Sequence, residues 1–241
     1  MTPLTLAFSA LSNETLWLIL LATNFLCILI AYRFFGKTGL YIWIPISTIL
    51  ANIQVLKMVD LFTIGVTLGN ITYASSFLVT DILSENYGKK SARKAVFIGF
   101  FSLLATVIIM NIALVFKPNE FDFIQESLRN IFAILPRIAL ASLIAYAISQ
   151  LHDVWAYNFW KARLPGLKFL WLRNNASTMI SQLIDSVIFT FIAFWGLMPT
   201  NQFLEILATT YILKLIVAAI DTPFLYIAKL LYTGNKITEE E

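Results

Sequence analysis

The chain has little of what catalytic and metal sites are usually made from. It contains one cysteine and one histidine among 241 residues. A single cysteine excludes an intrachain disulfide, and the two residues together are too few for the common zinc-binding spacings. An intramembrane enzyme would need a nucleophile with its base, or a set of metal ligands, and neither is apparent. We therefore predict that the protein is not an enzyme and has no cofactor or bound metal.

Charge is also scarce in this sequence. Only 13% of the residues are charged, 59% are hydrophobic and the mean hydropathy is +0.79. A soluble domain has about 25% charged residues and roughly 45–50% apolar ones, so this composition predicts an integral membrane protein with short loops. The net charge of +3 leaves no basic face for nucleic acid. The chain has no phosphate-binding loop of the Walker type, so any dependence on ATP would need other subunits.

Long apolar runs account for most of the length. A helix needs about 20 apolar residues to cross the hydrocarbon core, and seven runs qualify as candidates. We predict an all-α, polytopic membrane helix bundle that forms a single transmembrane domain over residues 1–241. The predicted spans are 16–35, 40–56, 61–83, 95–116, 131–155, 171–197 and 203–232. The first is predicted to be a retained helix and not a cleaved signal peptide, because its positive charge follows the apolar run and no small-residue cleavage site is evident.

Basic residues predict the orientation of these spans, because cytoplasmic loops carry an excess of Lys and Arg. With seven spans, four basic groups fall on one side. They are Arg33 and Lys37; Lys89, Lys90, Arg93 and Lys94; Lys161, Arg163, Lys168 and Arg173; and Lys229 and Lys236. We therefore predict a multi-pass protein of the cytoplasmic (inner) membrane, with the N-terminus outside and the C-terminus inside.

Polar residues recur at steps of three and four on several spans, which keeps them on one helix face. A charge at the bilayer centre costs about 2.5–3.5 kcal/mol, so Asp185 and Lys214 must face the bundle interior, a partner or water. We predict an Asp185–Lys214 pair, or a triad with Arg137, around a central cavity. Amides on such stripes also serve as hydrogen bonds between helices, worth about 0.6 kcal/mol, and both interpretations stay open for them. For Asp81 and Asp153, ion pairs with the basic loops are an alternative to a functional role.

Several elements occur in an order that makes the chain recognisable. They are Thr80-Asp81 followed by Tyr87-Gly88-Lys89-Lys90-Ser91-Ala92-Arg93; Pro136-Arg137-Ile138-Ala139; Gln150-Leu151-His152-Asp153-Val154; Trp171-Leu172-Arg173-Asn174-Asn175-Ala176-Ser177-Thr178 with Gln182 and Asp185; and Lys214. In these elements, over residues 40–231, the chain resembles the queuosine precursor transporter family, whose members were once grouped as vitamin-uptake-transporter-like proteins.

The resemblance implies import of 7-deazaguanines, such as preQ0, preQ1 or queuine, across the cytoplasmic membrane. It also implies a six-helix core like that of the substrate-binding subunits of energy-coupling-factor (ECF) transporters, with the first span as an addition. The alternative is therefore a substrate-binding subunit of an ATP-driven vitamin or nucleobase uptake system, and a structural or assembly protein is a further one. The expected partners are a small-molecule 7-deazapurine, the lipid bilayer, and either a second copy of the chain or ECF-type coupling subunits.

A deazaguanine is flat and its Watson–Crick edge is rich in donors and acceptors, so its site needs an apolar slot with amides and a carboxylate at the edge. The predicted substrate-binding residues are Asn52, Asn70, Tyr73, Phe77, Arg137, Gln182, Asp185 and Lys214. Asp185 is the preferred edge reader, with Lys214 or Arg137 setting its ionisation. The predicted gating or coupling residues are Asp81, Glu85, Gln150, Asp153, Asn175 and Asp221.

Overall fold

The computed structural model describes residues 11–62, 64–132, 136–196 and 199–237. Its helices are α1 (Asn13–Gln54), α2 (Gly69–Tyr87), α3 (Lys89–Val115), α4 (Gln125–Phe132), α5 (Pro136–Arg163), α6 (Leu170–Phe194) and α7 (Thr200–Thr233), and its strands are β1 (Met58–Leu61) and β2 (Ile64–Thr67). By length and composition, four of these helices (α1, α3, α6 with the preceding 3-10 turn, and α7) can cross a membrane. The fold is an all-α membrane helix bundle with one small β-hairpin.

Helix α1 folds back on itself at Gly36. A straight helix of its 42 residues would be about 63 Å long. Yet Asn13, at its start, donates a hydrogen bond of 3.0 Å to the carbonyl oxygen of Asp60, which lies just after its end. Gly36 has φ 52° and ψ −137°, a conformation that favours glycine. The bend falls between the predicted spans 16–35 and 40–56, so the parts of α1 before and after Gly36 are two antiparallel segments.

The two segments of α1 are in close contact at Gly39, and this contact gives a stability prediction. A Cβ atom on Gly39 would lie 2.1 Å from the carbonyl oxygen of Ala31, which is backbone and cannot rotate away. We expect Gly39→Ala to destabilise the protein by about 1–3 kcal/mol, the usual range for overpacking, and to lower its melting temperature in detergent. Gly166→Ala is the control, because its added Cβ would meet its nearest neighbour, the Phe169 ring, at 3.6 Å. Equal melting temperatures for both variants would contradict the packing described here.

The β-hairpin corrects the predicted span 61–83. Met58 pairs with Thr67 and Leu61 with Ile64 in an antiparallel register, and helix α2 begins only at Gly69. The apolar residues before Gly69 alternate with polar ones and glycine, and this two-residue period is typical of a strand. The span was predicted from the number of apolar residues, which does not take their period into account. Parts of two other predicted spans, residues 133–135 of 131–155 and residue 197 of 171–197, lie outside the described residues.

The basic groups meet at one end of the bundle. The Lys37 ammonium lies 5.3 Å from the centre of the Tyr87 ring. This contact brings the bend of α1 next to the turn between α2 and α3. Lys161 and Lys229, near the ends of α5 and α7, both contact Glu85. We call this the basic end. The opposite one, with the β-hairpin and the first residues of α1, is the hairpin end.

Candidate functional site

Four helices surround a buried polar column that runs between the two ends. Helices α2, α5 and α7 run towards the basic end and α6 runs the other way, so their polar side chains meet at three levels. On α2 these levels are marked by Tyr73, Asp81 and Glu85, separated by about 12 Å and about 6 Å at the rise of an α-helix. We call them the cavity layer, the carboxylate layer and the clamp.

The cavity layer is nearest the hairpin end and contains a pocket between the helices. Small-molecule sites are mostly apolar with a few convergent polar groups. The cavity is lined by Ala51, Asn52, Val55, Gly69, Asn70, Tyr73, Ser142, Ala145, Asp185, Phe189 and Lys214. Five of the predicted substrate-binding residues are therefore together: Asn52, Asn70, Tyr73, Asp185 and Lys214.

Asp185 is the centre of the hydrogen bonds in this layer. Its Oδ1 accepts from the hydroxyl of Tyr73 and, at 3.0 Å, from Ser149 Oγ, while its Oδ2 accepts from the Lys214 ammonium. The side chains of Asp185 and Lys214 are each only 3% exposed. Two charges can be buried this deeply only when they are paired and hydrogen-bonded. The pair therefore keeps both charges away from lipid, as their positions within apolar runs require.

Bonding capacity remains on both members of the pair. A carboxylate offers about four acceptor positions and an ammonium three donors, and the contacts above use three positions and one donor. Lys214 also lies 5.0 Å from the centre of the Tyr73 ring, which adds a cation–π contact. The wall of the cavity thus presents an acceptor beside a donor. At the rim, Asn52 donates its amide to the Thr48 carbonyl oxygen at 2.9 Å, which leaves the Asn52 side-chain oxygen for another donor.

Two of the predicted substrate-binding residues lie behind the cavity. Phe77 is fully buried and packs edge to face against Tyr73, with ring centres 6.0 Å apart, so it supports that ring. Gln182 is one turn from Asp185 towards the basic end, is fully buried, and has no hydrogen-bond partner on either side-chain amide atom. Neither side chain lines the cavity.

Arg137 corrects the predicted triad. It is exposed at the hairpin end, where it donates to the carbonyl oxygens of Ile192 at 2.7 Å and Trp195 at 2.8 Å. Ile192 is in the last turn of α6 and Trp195 is the residue that caps it, so no N–H of a following helical turn is available to their carbonyl oxygens. A cation at this end satisfies those acceptors. Arg137 therefore caps α6 and does not join Asp185 and Lys214.

The capping role of Arg137 predicts a mild phenotype. We expect Arg137→Ala to lower the stability by about 1 kcal/mol, because two hydrogen bonds at an exposed helix end are lost. Substrate affinity should stay within about twofold of that of the unchanged protein, since each tenfold change needs 1.4 kcal/mol acting at the site itself. Melting and uptake assays check this, with the exposed Arg129 of α4, changed to Ala, as the control. A loss of affinity comparable to that of a cavity variant would contradict the assignment.

The carboxylate layer contains Asp81, Asp153 and Asp221, all fully buried. Asp81 Oδ2 accepts from Thr178 Oγ1 at 3.2 Å, and Asp221 Oδ1 accepts from Asn174 Nδ2 at 2.6 Å. Within the described part of the chain, neither Asp81 nor Asp153 forms the alternative ion pairs with the basic loops. Among the described residues those pairs are made to Glu85.

Two of the predicted gating residues connect neighbouring helices. Gln150 donates to Ser76 Oγ at 3.0 Å and accepts from Thr80 Oγ1 at 3.2 Å, which joins α5 to α2 between the cavity and the carboxylate layer. Asn175 donates to Thr222 Oγ1 at 2.9 Å and joins α6 to α7 near the basic end. Gln150 therefore closes the column below the cavity, whereas Asn175 lies beside it.

The clamp is built around Glu85. Its carboxylate accepts from Arg173 Nη2 at 2.8 Å and Tyr157 OH at 3.1 Å, and lies 3.0 Å from the Lys229 ammonium and 3.7 Å from that of Lys161. Arg173 is fully buried and also donates to the carbonyl oxygens of residues 164 and 166. One carboxylate thus ties α2 to α5, α6 and α7 and closes the column at the basic end.

Some members of these layers are not found by charge alone. Ser142 and Ser149 are seven residues apart on α5, a spacing that keeps them on one face, and this signal would have placed them beside Asp185. For Arg173 the sequence predicts a place in the basic group around a turn and in a family element, but no role in the site, although Asn174 and Asn175 follow it in the same helix. Within the described ranges, no group of three or more His, Cys, Asp or Glu side chains has the arrangement needed to hold a metal ion.

Comparison with known proteins gives one family and several relatives. Residues 67–228 match the model of a family described as "Putative vitamin uptake transporter". The "Probable queuosine precursor transporter" of Bacillus subtilis (strain 168) is 43% identical over 217 residues, which cover 90% of this chain and 95% of the relative. The "Queuosine precursor transporter" of Escherichia coli (strain K12) is 28% identical over 174 residues, covering 70% of this chain and 75% of the relative. No solved structure matches.

Proposed function

Because this chain belongs to the queuosine precursor transporter family, we propose that it is a multi-pass protein of the cytoplasmic membrane that imports 7-deazaguanine bases. Its curated relatives carry the names of transporters and not of enzymes. The bundle supports this role because a polar column bridges its two ends. A protein that only anchors or assembles others has no need of a cavity with a buried ion pair.

The Asp185–Lys214 pair is the observation that carries the proposal. The edge of a deazaguanine places an N–H donor directly beside a carbonyl acceptor. Asp185 Oδ2 has a position left for the N–H, and Lys214 has donors left for the carbonyl. The Tyr73 and Phe189 rings give the flat base apolar surfaces, and Asn52 and Asn70 are placed for its remaining polar atoms.

The membrane topology is part of the proposal. The whole chain, residues 1–241, forms one transmembrane domain with seven spans, of which the two segments of α1 provide two. The collection of all four basic groups at one end supports a cytoplasmic position for that end and an external position for the N-terminus. We also propose that six of the spans form a core related to ECF substrate-binding subunits and that the first segment of α1 is an addition to this core.

Gating follows from the order of the layers. The cavity lies towards the external end, and the buried levels of Gln150, Asp81 and Glu85 separate it from the cytoplasm. A base that enters the cavity can leave inwards only when these contacts open, which is the alternating access expected of transporters with a site inside the bundle. In this account Asp185 and Lys214 hold the base, and the Glu85 clamp is the inner gate.

Uptake of labelled preQ0, preQ1 and queuine tests the function. The host is a strain that cannot make these bases and has no transporter of its own for them. We expect uptake of at least one base with this chain and none with an empty vector. Purified protein in vesicles, without any other subunit, should show the same preference. Uptake that appears only with added ATP-hydrolysing subunits would establish the ECF-type alternative, and no uptake of any base would refute the proposal.

A further inference from the structure

The carboxylate layer has acceptors without donors. Asp81 Oδ1, both carboxylate oxygens of Asp153 and Asp221 Oδ2 are buried and have no hydrogen-bond partner. The same is true of the side-chain oxygen of Asn174, a neutral amide whose other end is bonded to Asp221. Buried polar atoms are nearly always satisfied, so each orphan requires an explanation. All five are acceptors, which means that the missing ligand is a donor or a cation.

One contact in this layer identifies the ligand. The side chains of Asp81 and Asp153 touch each other across α2 and α5. Ionised carboxylates only accept hydrogen bonds, and two of them that share a buried site repel, so one must carry a proton to bond the other. A single proton held between these two carboxylates lets one of them donate to the other and removes one buried charge.

We propose that the contact between Asp81 and Asp153 is a proton-binding site that couples uptake of the base to the proton gradient. The inference rests on the proposed function, since a coupling proton needs a transported solute. The proton would bind an oxygen of Asp153 from the external side and leave to the cytoplasm when the clamp opens, one level away. The base and the proton would thus occupy different layers of one column.

The charged and titratable neighbours fit a site that exchanges protons. From α5, Tyr157 lies beside Asp81; from α7, Asp221 is the third carboxylate; and from α6, Arg173 is held by Glu85 one turn away. His152 reaches the layer indirectly, through a contact of 2.9 Å between its Nδ1 and Ser181 Oγ, and Ser181 lies beside Asp153. Lys214 is neutralised by Asp185 in the cavity layer. No described ion pair joins a basic group to Asp81 or Asp153, so a proton can still neutralise them.

Vesicles with purified protein separate coupling from transport. Counterflow, in which labelled preQ0 enters vesicles preloaded with unlabelled preQ0, needs no gradient and reports the proposed function alone. An inward proton gradient of one pH unit should then concentrate neutral preQ0 about tenfold when one proton accompanies each base, because one unit equals 1.36 kcal/mol. Counterflow without a response to the gradient, or accumulation driven by sodium instead, would overturn the proton site and leave the function standing. Absence of counterflow would refute the function itself.

Variants test where the proton binds. Asp153→Asn should keep counterflow and lose the tenfold accumulation, whereas Asp153→Glu, which keeps the carboxyl, should retain it. Asp60→Asn makes the same chemical change at an exposed carboxylate on the β-hairpin and should behave as the unchanged protein. Counterflow identifies the variants that are folded. Full accumulation by a folded Asp153→Asn protein, or its loss in Asp153→Glu with counterflow intact, would assign the proton elsewhere.

Discussion

Asp185→Asn should weaken binding of preQ0 by about tenfold to a hundredfold. The substitution keeps the size of the side chain but replaces the charged acceptor of the substrate N–H with a neutral amide, and it leaves Lys214, which is 3% exposed, without its counter-charge. A hydrogen bond to a charged group contributes about 1.5–3 kcal/mol, and each 1.4 kcal/mol is a factor of ten in affinity. Loss of the counter-charge also destabilises the fold, by about 3–5 kcal/mol. Equilibrium binding of labelled preQ0 to the purified protein measures the effect.

A double variant separates the loss of the site from a loss of folding. Asp185→Asn with Lys214→Met removes both charges, so the melting temperature should recover towards that of the unchanged protein, because neutral replacements of a buried pair are often tolerated. Binding should not recover, since both the charged acceptor and the charged donor for the base are gone. Asp122→Asn, an exposed carboxylate in the loop before α4, is the matched control. Unchanged affinity in Asp185→Asn would remove Asp185 from the site.

Glu85→Gln should have the largest effect on stability. Its carboxylate is the common partner of Arg173, Lys161 and Lys229, and Arg173 is fully buried. The variant leaves these cations facing one another around a neutral amide, so we expect a loss of about 3–5 kcal/mol. Thermal unfolding in detergent measures it, with the exposed Glu126→Gln as the control for the same chemical change.

Arg173→Lys provides a graded test of the same clamp. Arg173 uses Nη2 on Glu85 and Nη1 on two backbone carbonyls, a forked arrangement that a lysine ammonium cannot reproduce. We expect stability between those of the unchanged protein and Glu85→Gln. If Glu85→Gln melts at the temperature of Glu126→Gln, the clamp does not hold the basic end together.

The cavity layer could be predicted largely from the sequence. Asp185 and Lys214 are charges within apolar runs, and the cost of exposing them to lipid leaves few arrangements other than a pair. Steps of three and four residues then indicate which amides and rings share a face with them. This spacing puts Asn70 on the face of α2 that carries Phe77 and Asp81, with Tyr73 beside that face.

The burial of the charged side chains and their contact partners could not be predicted in the same way. In the sequence, Arg137 is flanked by apolar residues, as a buried cation in a span would be. In the structure it lies at a helix end, where carbonyl oxygens are available to accept its hydrogen bonds. Arg173 shows the reverse error, since a loop arginine is expected to be solvated, yet helix packing buries it against Glu85. The β-hairpin was missed because hydropathy averaged over a window does not distinguish a strand from the start of a helix.

Protection of a cysteine in the cavity by substrate tests whether the Asp185–Lys214 cavity holds the transported base. Ser142 lines the cavity, and Cys27 is the single native cysteine, so Ser142→Cys with Cys27→Ser carries one thiol at the site. Asn201→Cys in the same background places the thiol at the exposed start of α7 as the control. Saturating preQ0 should slow the labelling of the first variant by a thiol reagent and leave the second unchanged. Equal labelling of Ser142→Cys with and without preQ0, in a protein that still takes up preQ0, would contradict the account.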